Sequence, residues 1–433
     1  MDLHIRKFLL LLGDVAILYV ALYFMLTISF PGEALSVLFF SHVGPFSILF
    51  FFWLVLFYIL DLYDLSAPPV APAFLSRFTL ALILCFLLGA LFFYVVSFTQ
   101  ISPKTNLLIV TALFGVFSYG WRLLFATKIS RLAPWRIGLL GLQQEDAELR
   151  DLIRSLKHHG YGCVDLHAGD LVAQVSQQRL HAVVIPSDSF FQPETTQQLY
   201  ECLATGVRFL DVGEAYELFA RRIPLSTTDQ SWFVRNVYGR ERGGFKQAKR
   251  AMDLVAATFI LVLTSPILGV IALAIKLEGH GTIFYSQQRV GKHGKIFSIK
   301  KFRTMKSDAE AQGPQWAQVK DSRVTRVGSF LRRTHLDELP QMLNILRGDI
   351  SLVGPRPERP EFVEVLSKEI PHYHIRHFVK PGFTGWAQIK FRYARSVLDS
   401  RKKFEYDLYY IKNRSLMLDV LILLKTIQLV FRG

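Results

Sequence analysis

The chain has 433 residues, 51% of them hydrophobic, and a formal net charge of +15. High apolar content with high positive charge is unusual for a soluble protein and favours a membrane protein with a basic part outside the lipid. Residues 240–433 hold 34 Lys and Arg against 17 Asp and Glu, so an anionic partner is predicted for this half. It contains no nucleic-acid-binding motif, and the three isolated cysteines exclude a CxxC-type zinc site.

Four apolar runs in residues 1–130 are each long enough to cross a bilayer, which takes about 20 residues. They lie at 8–28, 44–60, 78–98 and 106–125. Basic residues precede the first run, lie in the second loop and follow the fourth run. The positive-inside rule therefore predicts a four-helix transmembrane domain with both its ends in the cytoplasm. Asp14, inside the first run, is expected to have a packing role.

Residues 131–223 change to short apolar strands that alternate with helices. Strands are predicted at 136–141, 161–167, 180–187 and 207–212, and helices at 144–158 and 193–205. This alternation predicts a small parallel sheet in a Rossmann-like α/β module. GLLGLQQ stands where a dinucleotide site has GxGxxG, so a module without a nucleotide is favoured.

Residues 224–245 are predicted to form a polar linker before a fifth apolar run. That run, at 251–277, could span a bilayer, but Ser265 and Pro266 lie at its middle, where proline removes a backbone hydrogen bond. Because an odd number of spans would move the basic remainder to the other side, a re-entrant helix that breaks at these two residues is predicted. A kinked spanning helix is the alternative that periodicity leaves open.

The phrase RRTHLDELPQ places Asp337 beside Glu338 in a basic neighbourhood. Adjacent side chains on a helix point about 100° apart. Asp337 and Glu338 therefore cannot face each other across a substrate, as the two carboxylates of a glycosidase do. One interpretation is an N-cap at Asp337 of a helix that ends at Gly348, with Pro340 in its first turn. The pattern alone leaves the N-cap and a chemical role equally open.

Several long motifs in residues 246–433 resemble those of the polyprenyl-phosphate glycosyl-1-phosphate transferases, the bacterial sugar transferase family with a re-entrant membrane helix. In chain order they are AKRAMDLV, LTSPIL, KFRTM, RTHLDELPQMLNILRGDISLVGPRP, KPGFTGWAQ and KFEYDLYYIKN. The four-helix anchor and the α/β module resemble the large, extended members, and GPRPERPEFV resembles the exopolysaccharide-associated branch. The resemblance implies an α/β membrane protein whose C-terminal catalytic domain is mostly helical.

The resemblance implies transfer of a sugar-1-phosphate from a nucleoside diphosphate-sugar, expected to be a UDP-sugar, to undecaprenyl phosphate or another polyprenyl phosphate. This reaction would begin the synthesis of exopolysaccharide or another lipid-linked glycan. The implied location is the bacterial inner (cytoplasmic) membrane, with the catalytic domain on the cytoplasmic face. The bilayer is then a partner, nucleic acid is not, and a homodimer is left open.

The resemblance also implies roles for matching residues. Asp337 is the nucleophile that forms an acyl-phosphate, and the pair Asp337 and Glu338 holds Mg²⁺, a hard cation that prefers oxygen ligands. Asp407 in EYDLYY matches an acidic position that serves the metal or the sugar. Five cations match substrate-binding positions: Lys301, Arg303, Arg332, Arg356 and Arg392. Contact with lipid headgroups is the alternative for such cations.

Two other classes of protein are alternatives to this family. A membrane-anchored nucleotide-sugar epimerase or dehydratase needs a glycine-rich cofactor loop and a YxxxK pair, and neither occurs in a suitable context. A non-catalytic membrane scaffold, whose α/β module senses a ligand, is the other alternative.

Overall fold

The structure is a computed structural model that describes residues 3–32, 34–63, 69–95, 103–129, 135–141, 147–155, 161–167, 169–186, 193–237, 244–279, 281–305, 323–391 and 396–432. The chain forms two compact units, Met1–Ala215 and Tyr216–Gly433. The first unit therefore holds both the predicted transmembrane domain and the predicted α/β module.

Four long helices begin the first unit, as the hydropathy pattern predicts. They are α1 (Leu3–Ser29), α2 (Leu35–Ile59), α3 (Pro72–Val95) and α4 (Pro103–Leu124). Each is long and apolar enough to cross a membrane. Their shared core is rich in aromatic rings; Trp53, Phe57 and Phe114 are all fully buried in it.

Asp14 has the packing role that its position in the first apolar run predicts. Both of its carboxylate oxygens accept hydrogen bonds of 2.8 Å from the guanidinium of Arg122, which links α1 to α4. Ser118 Oγ donates to the same carboxylate at 2.7 Å. The Arg122 guanidinium also lies over the ring of Phe57, so its charge is enclosed on several sides.

A four-stranded parallel sheet confirms the predicted α/β alternation. Its strands, in the spatial order β2-β1-β3-β4, are β1 (Trp135–Leu140), β2 (Tyr161–Leu166), β3 (Ala182–Ile185) and β4 (Arg208–Asp211). The helices are α5 (Ala147–Ser155), α6 (Leu171–Gln177), α7 (Pro193–Cys202) and α8 (Val212–Ala215). Helix α6 was not predicted, although Asp170 marks its start by accepting a hydrogen bond from Ala173 N at 2.9 Å.

The prediction of a polar linker over 224–245 is wrong for its first part. This segment contains helix α9 (Gln230–Val237), and Leu225, Phe233 and Val237 are buried in the core of the second unit. Composition suggested a linker because the segment is mostly polar. A few apolar side chains on one helical face are nevertheless enough to anchor it. Residues 238–243 lie outside the described part of the chain.

The fifth apolar run forms helix α10 (Phe245–Glu278), the fifth helix long and apolar enough to cross a membrane among the described residues. The helix continues through Pro266, and Ser265 Oγ donates to the carbonyl of Val262 at 2.8 Å. Pro266 lacks the N–H that would donate to the carbonyl of Val262, and the Ser265 hydroxyl donates to it instead. The helical assignment is thus unbroken at the predicted position, and a bend at Ser265 and Pro266 stays a prediction, as does the re-entrant topology.

The remaining elements are short and mostly helical. In chain order they are β5 (Phe284–Val290), β6 (Ile296–Phe302), α11 (Arg326–Thr334), a 3₁₀-helix (Leu336–Gln341), α12 (Met342–Arg347), β7 (Ser351–Val353), α13 (Pro360–Glu369), a 3₁₀-helix (Tyr373–Phe378), β8 (Gly382–Thr384), α14 (Trp386–Lys390), α15 (Val397–Lys412) and α16 (Leu416–Arg432). Strands β5 and β6 form an antiparallel hairpin, while β7 and β8 pair in parallel. Ile345, Leu352 and Trp386 belong to the core that joins these elements to α10.

Candidate active site

The acidic pair lies in the 3₁₀-helix that follows α11. His335 ends α11 in the left-handed conformation, with φ 56°, and so turns the chain into the 3₁₀-helix. Histidine is one of the non-glycine residues enriched in that conformation. The N-cap interpretation of Asp337 is wrong, because His335 occupies the cap position and Asp337 lies inside the first turn. Gly348, with φ 91°, ends α12 as predicted.

Glu338 is held between two cations. Its Oε1 atom accepts hydrogen bonds from Lys301 Nζ at 2.6 Å and from Arg356 Nη2 at 2.8 Å. Burial alone would raise the pKa of Glu338, but Arg356 and Lys301 together hold that pKa well below its usual range. Glu338 is therefore an ionised, charge-neutralised carboxylate at neutral pH.

Asp337 has a different environment, although it is the adjacent residue. It is only 8% exposed, and neither a hydrogen bond nor an ion pair of its carboxylate is found among the described residues. Burial raises the pKa of Asp337, while the charges of Lys301 and Arg332 act to lower it. A buried carboxylate with unengaged oxygens beside positive charge is suited to nucleophilic attack on phosphorus.

Lys301 reaches the acidic pair because strand β6 is fixed to helix α12. The side chain of Asn344, which is fully buried, accepts from Lys300 N at 3.1 Å and donates to Ser298 O at 2.8 Å. One amide thus joins the strand that carries Lys301 to the helix that follows Glu338. The sequence contains Asn344 within LPQMLNILRGD but offers no sign of this contact.

Arg356 lies on the loop between β7 and α13, where the chain packs tightly against β8. Gly382 N donates to Pro355 O at 2.9 Å, and a Cβ on Gly354 would lie 2.5 Å from Lys380 O. The backbones at Gly354 and Gly382 approach so closely that a larger residue at Gly354 would push the loop away. This packing places the guanidinium of Arg356 on Glu338.

The structure places the predicted substrate-binding cations in different surroundings. Lys301 and Arg356 contact Glu338, and Arg332 donates from Nε to Thr304 Oγ1 at 2.9 Å while its charge influences Asp337. Arg303 is placed elsewhere: it donates to Ile275 O and Gly279 O at the C-terminus of α10. Strand β6 ends at Phe302, so the alternation that would align Arg303 with Lys301 does not continue. Arg392 lies outside the described residues.

Asp407, the third predicted metal ligand, belongs to a second ionic network. It is 2% exposed and accepts a hydrogen bond of 3.0 Å from Arg376 Nη2. The same Arg376 atom donates to the backbone carbonyl of Arg356 at 2.9 Å, and Glu358 lies 4.0 Å from Arg376 Nη1. Asp407 therefore touches the Arg356 loop through Arg376. The sequence analysis did not predict a role for Arg376 or Glu358, because a residue pattern does not show which charged side chains contact each other.

The carboxylate oxygens of the acidic pair are the type of ligand that Mg²⁺ prefers. Mg²⁺ is commonly held by one or two carboxylates together with substrate phosphates. The unengaged oxygens of Asp337 and the second oxygen of Glu338 provide such a set. Within the described ranges there is no group of three or more His, Cys, Asp or Glu side chains that could hold a metal ion. The metal would thus depend on the pair and on phosphate oxygens.

A small recess opens beside the acidic pair. Its lining consists of Arg289, Ile299, Lys301, Gln341, Arg356, Pro357 and Gly382. The free space in it is about 10 Å³, which is enough for about one water molecule. Three of its lining residues are cations: Arg289, Lys301 and Arg356.

The second unit matches a known family over most of its length. The bacterial sugar transferase family model matches residues 245–433. A putative undecaprenyl-phosphate N-acetylgalactosaminyl 1-phosphate transferase of Bacillus subtilis (strain 168) is 51% identical over 128 residues, which are 30% of this chain and 72% of that protein. The chain belongs to the bacterial sugar transferase family. The family match begins after α9, so residues 216–237 lie outside it although they form part of the second unit.

Two longer bacterial sugar transferases are also similar to this chain. The UDP-N-acetylgalactosamine-undecaprenyl-phosphate N-acetylgalactosaminephosphotransferase of Aeromonas hydrophila is 50% identical over 185 residues, 43% of this chain and 44% of that protein. The UDP-glucose:undecaprenyl-phosphate glucose-1-phosphate transferase of Escherichia coli (strain K12) is 46% identical over 187 residues, 43% of this chain and 40% of that protein. The matched region spans less than half the length of each of these two relatives.

Proposed function

We propose that this bacterial sugar transferase moves a sugar-1-phosphate from a nucleoside diphosphate-sugar to undecaprenyl phosphate, the acceptor in the names of its relatives. The observation that carries the proposal is the contrast within the acidic pair. Glu338 is neutralised by Lys301 and Arg356, while Asp337 is buried with unengaged oxygens. Such a pair combines a free nucleophile with a fixed group of cations that can bind phosphate.

In the first displacement, a carboxylate oxygen of Asp337 forms a bond to the sugar-bearing phosphorus of the donor. The bond from that phosphorus to the bridging oxygen breaks, and the nucleoside monophosphate leaves with the bridging oxygen and its electron pair. Arg332 and Lys301 lie near Asp337 and would stabilise the charge that develops on the phosphoryl oxygens.

In the second displacement, an oxygen of the lipid phosphate attacks the same phosphorus. The bond to Asp337 breaks and the carboxylate is regenerated, so the products are the polyprenyl diphosphate-sugar and the free enzyme. Asp337 and Glu338 would hold Mg²⁺, which when bound neutralises phosphate charge. Glu338 also keeps Lys301 and Arg356 in place between the two steps.

The contacts of α10 support a helix whose two ends lie on one side of the membrane. Near its start, Asp253 accepts from Ser351 Oγ and Leu352 N, both at 3.0 Å. Near its end, Ile275 packs with Phe302 and Leu331 of the same charged unit. A helix that crossed about 30 Å of hydrocarbon could not contact one polar unit at both ends. We propose a location on the cytoplasmic face of the bacterial inner membrane.

The direct test is release of the nucleoside monophosphate. Purified full-length protein is incubated with Mg²⁺, undecaprenyl phosphate and individual UDP-sugars, beginning with UDP-N-acetylgalactosamine and UDP-glucose. We expect UMP to be released with at least one donor, in an amount equal to the lipid-linked product. If no common nucleotide-sugar yields UMP, the proposed reaction is wrong. The donor that reacts identifies the sugar that is transferred.

A further inference from the structure

The loop that carries Arg356 is held through its backbone oxygens. It consists of residues 355–358, and two of these four are prolines, which have no N–H to donate. Each of its four carbonyl groups accepts a hydrogen bond from outside the loop. From Pro355 to Glu358, the donors are Gly382 N at 2.9 Å, Arg376 Nη2 at 2.9 Å, Arg289 Nη1 at 3.1 Å and Val290 N at 3.0 Å. One of these donors, Arg376, binds the carbonyl of Arg356 itself.

The guanidinium of Arg376 is enclosed and has fixed partners. Arg376 is 3% exposed, its Nη1 donates to Tyr373 Oη, and its Nη2 donates to Asp407 Oδ2 at 3.0 Å. Each terminal nitrogen of a guanidinium carries two hydrogens, so Nη2 can bind Asp407 and the Arg356 carbonyl together. A buried charge is costly unless it is paired, and the carboxylate of Asp407 supplies that pairing. Glu358 adds a second carboxylate, 4.0 Å from Nη1.

Arg356 is therefore held at both of its ends. Arg376 binds its backbone carbonyl, and Glu338 accepts a hydrogen bond from its Nη2 at 2.8 Å. The prolines on either side of Arg356 restrict the backbone, so a shift of the carbonyl moves the whole residue. A displacement of about 1 Å would take the guanidinium out of hydrogen-bond range of Glu338.

We propose that Arg376 is a positioning residue of the candidate active site, and that Asp407 acts through Arg376. In this role Asp407 keeps a buried guanidinium charged and oriented, and it binds neither the metal nor the sugar. The inference rests on the proposed function, because the reaction that it affects is that of Asp337 and the cations around it. A purely structural role for the buried pair is the alternative that the experiments separate.

The first test compares turnover by full-length proteins with Arg376→Gln, with Arg356→Gln and with both substitutions. Arg376→Gln alone should lower kcat/KM about 10- to 100-fold, as loss of a hydrogen bond from a charged donor predicts. In a protein that already lacks the Arg356 guanidinium, the same substitution should lower it by less than about twofold, because two residues that act through one contact are not additive. An equal loss in both backgrounds would overturn the positioning role, since a residue that only stabilises the fold acts in both.

Asp407→Asn separates the proposed role of Asp407 from that of a ligand. Asparagine keeps the shape of the side chain and removes the charge that pairs with Arg376. We expect kcat/KM to fall in the wild-type background and to change little in the Arg356→Gln background, as for Arg376→Gln. The Mg²⁺ concentration that gives half-maximal activity should stay the same. A further loss in the Arg356→Gln background, or a higher Mg²⁺ requirement, would show that Asp407 contacts the sugar or the metal directly.

Thermal unfolding gives a readout that does not need turnover. Glu338→Gln should lower the Tm of the wild-type protein, because Lys301 and Arg356 lose their shared acceptor. The decrease should be smaller when Arg376→Gln is already present, since Arg356 is then no longer held against Glu338. If no donor yields a nucleoside monophosphate, the proposed function falls, yet this comparison still tests the link from Arg376 to Glu338. Equal decreases in Tm would overturn that link.

The matched control is Arg222→Gln. Arg222 is also a buried arginine, 5% exposed, and it pairs at 3.1 Å with Glu405, which lies on α15 two residues before Asp407. This variant should lower the Tm, but its effect on kcat/KM should be the same with and without the Arg356 guanidinium. If Arg222→Gln depended on Arg356 in the same way as Arg376→Gln, the dependence would reflect a general loss of stability, and the positioning role would be wrong.

Discussion

At the scale of single residues, the adjacent carboxylates of Asp337 and Glu338 differ in whether a cation is bound to them. Glu338 shares its Oε1 with Lys301 and Arg356, which are 37 and 18 residues away in the chain. Asp337 has no such partners among the described residues, and burial raises its pKa. In the proposed reaction, the different roles of Asp337 and Glu338 follow from which cations reach which carboxylate.

This contrast predicts that two neighbouring substitutions have different consequences. Asp337→Asn should reduce turnover by about a thousandfold or more, because the nucleophile is lost, while stability stays the same or rises slightly. Glu338→Gln should lower the free energy of unfolding by about 1–3 kcal/mol, since two cations lose their shared acceptor. UMP release and denaturant unfolding of the purified proteins measure the two effects.

The control for these substitutions is Lys368→Gln, which breaks an exposed ion pair with Glu364. Exposed pairs contribute little, so neither turnover nor stability should change measurably. Normal turnover by Asp337→Asn would remove Asp337 from the role of nucleophile. An equal loss of stability in both carboxylate variants would contradict the difference in environment.

Asp407 shows what a residue pattern can and cannot predict about a single side chain. Its acidic character and its place in EYDLYY are visible in the sequence, and they predict a metal or sugar contact. The structure pairs it with Arg376, which in turn binds the backbone of Arg356. That partner comes from a different element, and no local pattern marks the pairing.

At the scale of elements, α10 is the part whose topology matters most. Its middle presents large apolar side chains outward, including Phe259, Val262 and Val270, each at least 66% exposed. Together with the length and hydropathy of α10, these exposed apolar side chains agree with a helix that lies in a membrane. The two ends of the helix are the parts that contact the charged unit.

Cysteine labelling can place the two ends of α10 relative to the membrane. After replacement of the native Cys85, Cys163 and Cys202, single cysteines are introduced as Gln247→Cys and Lys276→Cys, both at exposed positions. A membrane-impermeant maleimide should label both from the cytoplasmic side, in inverted vesicles but not in intact spheroplasts. Val262→Cys is the control, because a lipid-covered thiol should resist the reagent. Labelling of the two ends from opposite sides would establish a spanning helix.

At the scale of the whole molecule, the second unit is larger than the region that matches the family. It begins at Tyr216, 29 residues before the family match. Arg222 forms an ion pair of 3.1 Å with Glu405, and Glu217 forms one of 2.6 Å with Lys412. Trp386, in the GWAQ motif, donates from Nε1 to Arg221 O at 2.9 Å. Residues 216–237 thus brace helices α14 and α15.

This brace predicts a difference between two truncated proteins. A protein of residues 245–433 loses the buried side chains of Ile223, Leu225, Phe233 and Val237 and leaves Glu405 without Arg222. A protein of residues 216–433 keeps them. The shorter one should be less stable by several kcal/mol, because each fully buried apolar side chain contributes about 1.5–3 kcal/mol. Thermal unfolding in the same detergent compares them.

Arg222→Gln in the longer truncated protein serves as the intermediate case. It breaks one ion pair and keeps the apolar contacts, so its Tm should fall between those of the two truncated proteins. Equal Tm values for 216–433 and 245–433 would mean that the brace contributes nothing to the second unit.

The class of the protein can be predicted from the amino-acid sequence alone. Apolar runs of bilayer length, the positive charge of residues 240–433 and the ordered motifs are properties of composition and local order, which survive without coordinates. The α/β alternation and the end of α12 at Gly348 were also predictable, because strand period and glycine at a helix end are local signals.

Which charged side chains contact one another became visible in the three-dimensional structure. It brought Lys301 and Arg356 to Glu338, turned Arg303 to the end of α10 and gave Asp407 to Arg376. It also buried part of a segment that its composition marks as a linker, and it left Gln341 Nε2 at a basic recess without a hydrogen-bond partner among the described residues. These outcomes depend on packing between elements distant in the chain, where a shift of a few ångströms makes or breaks a contact.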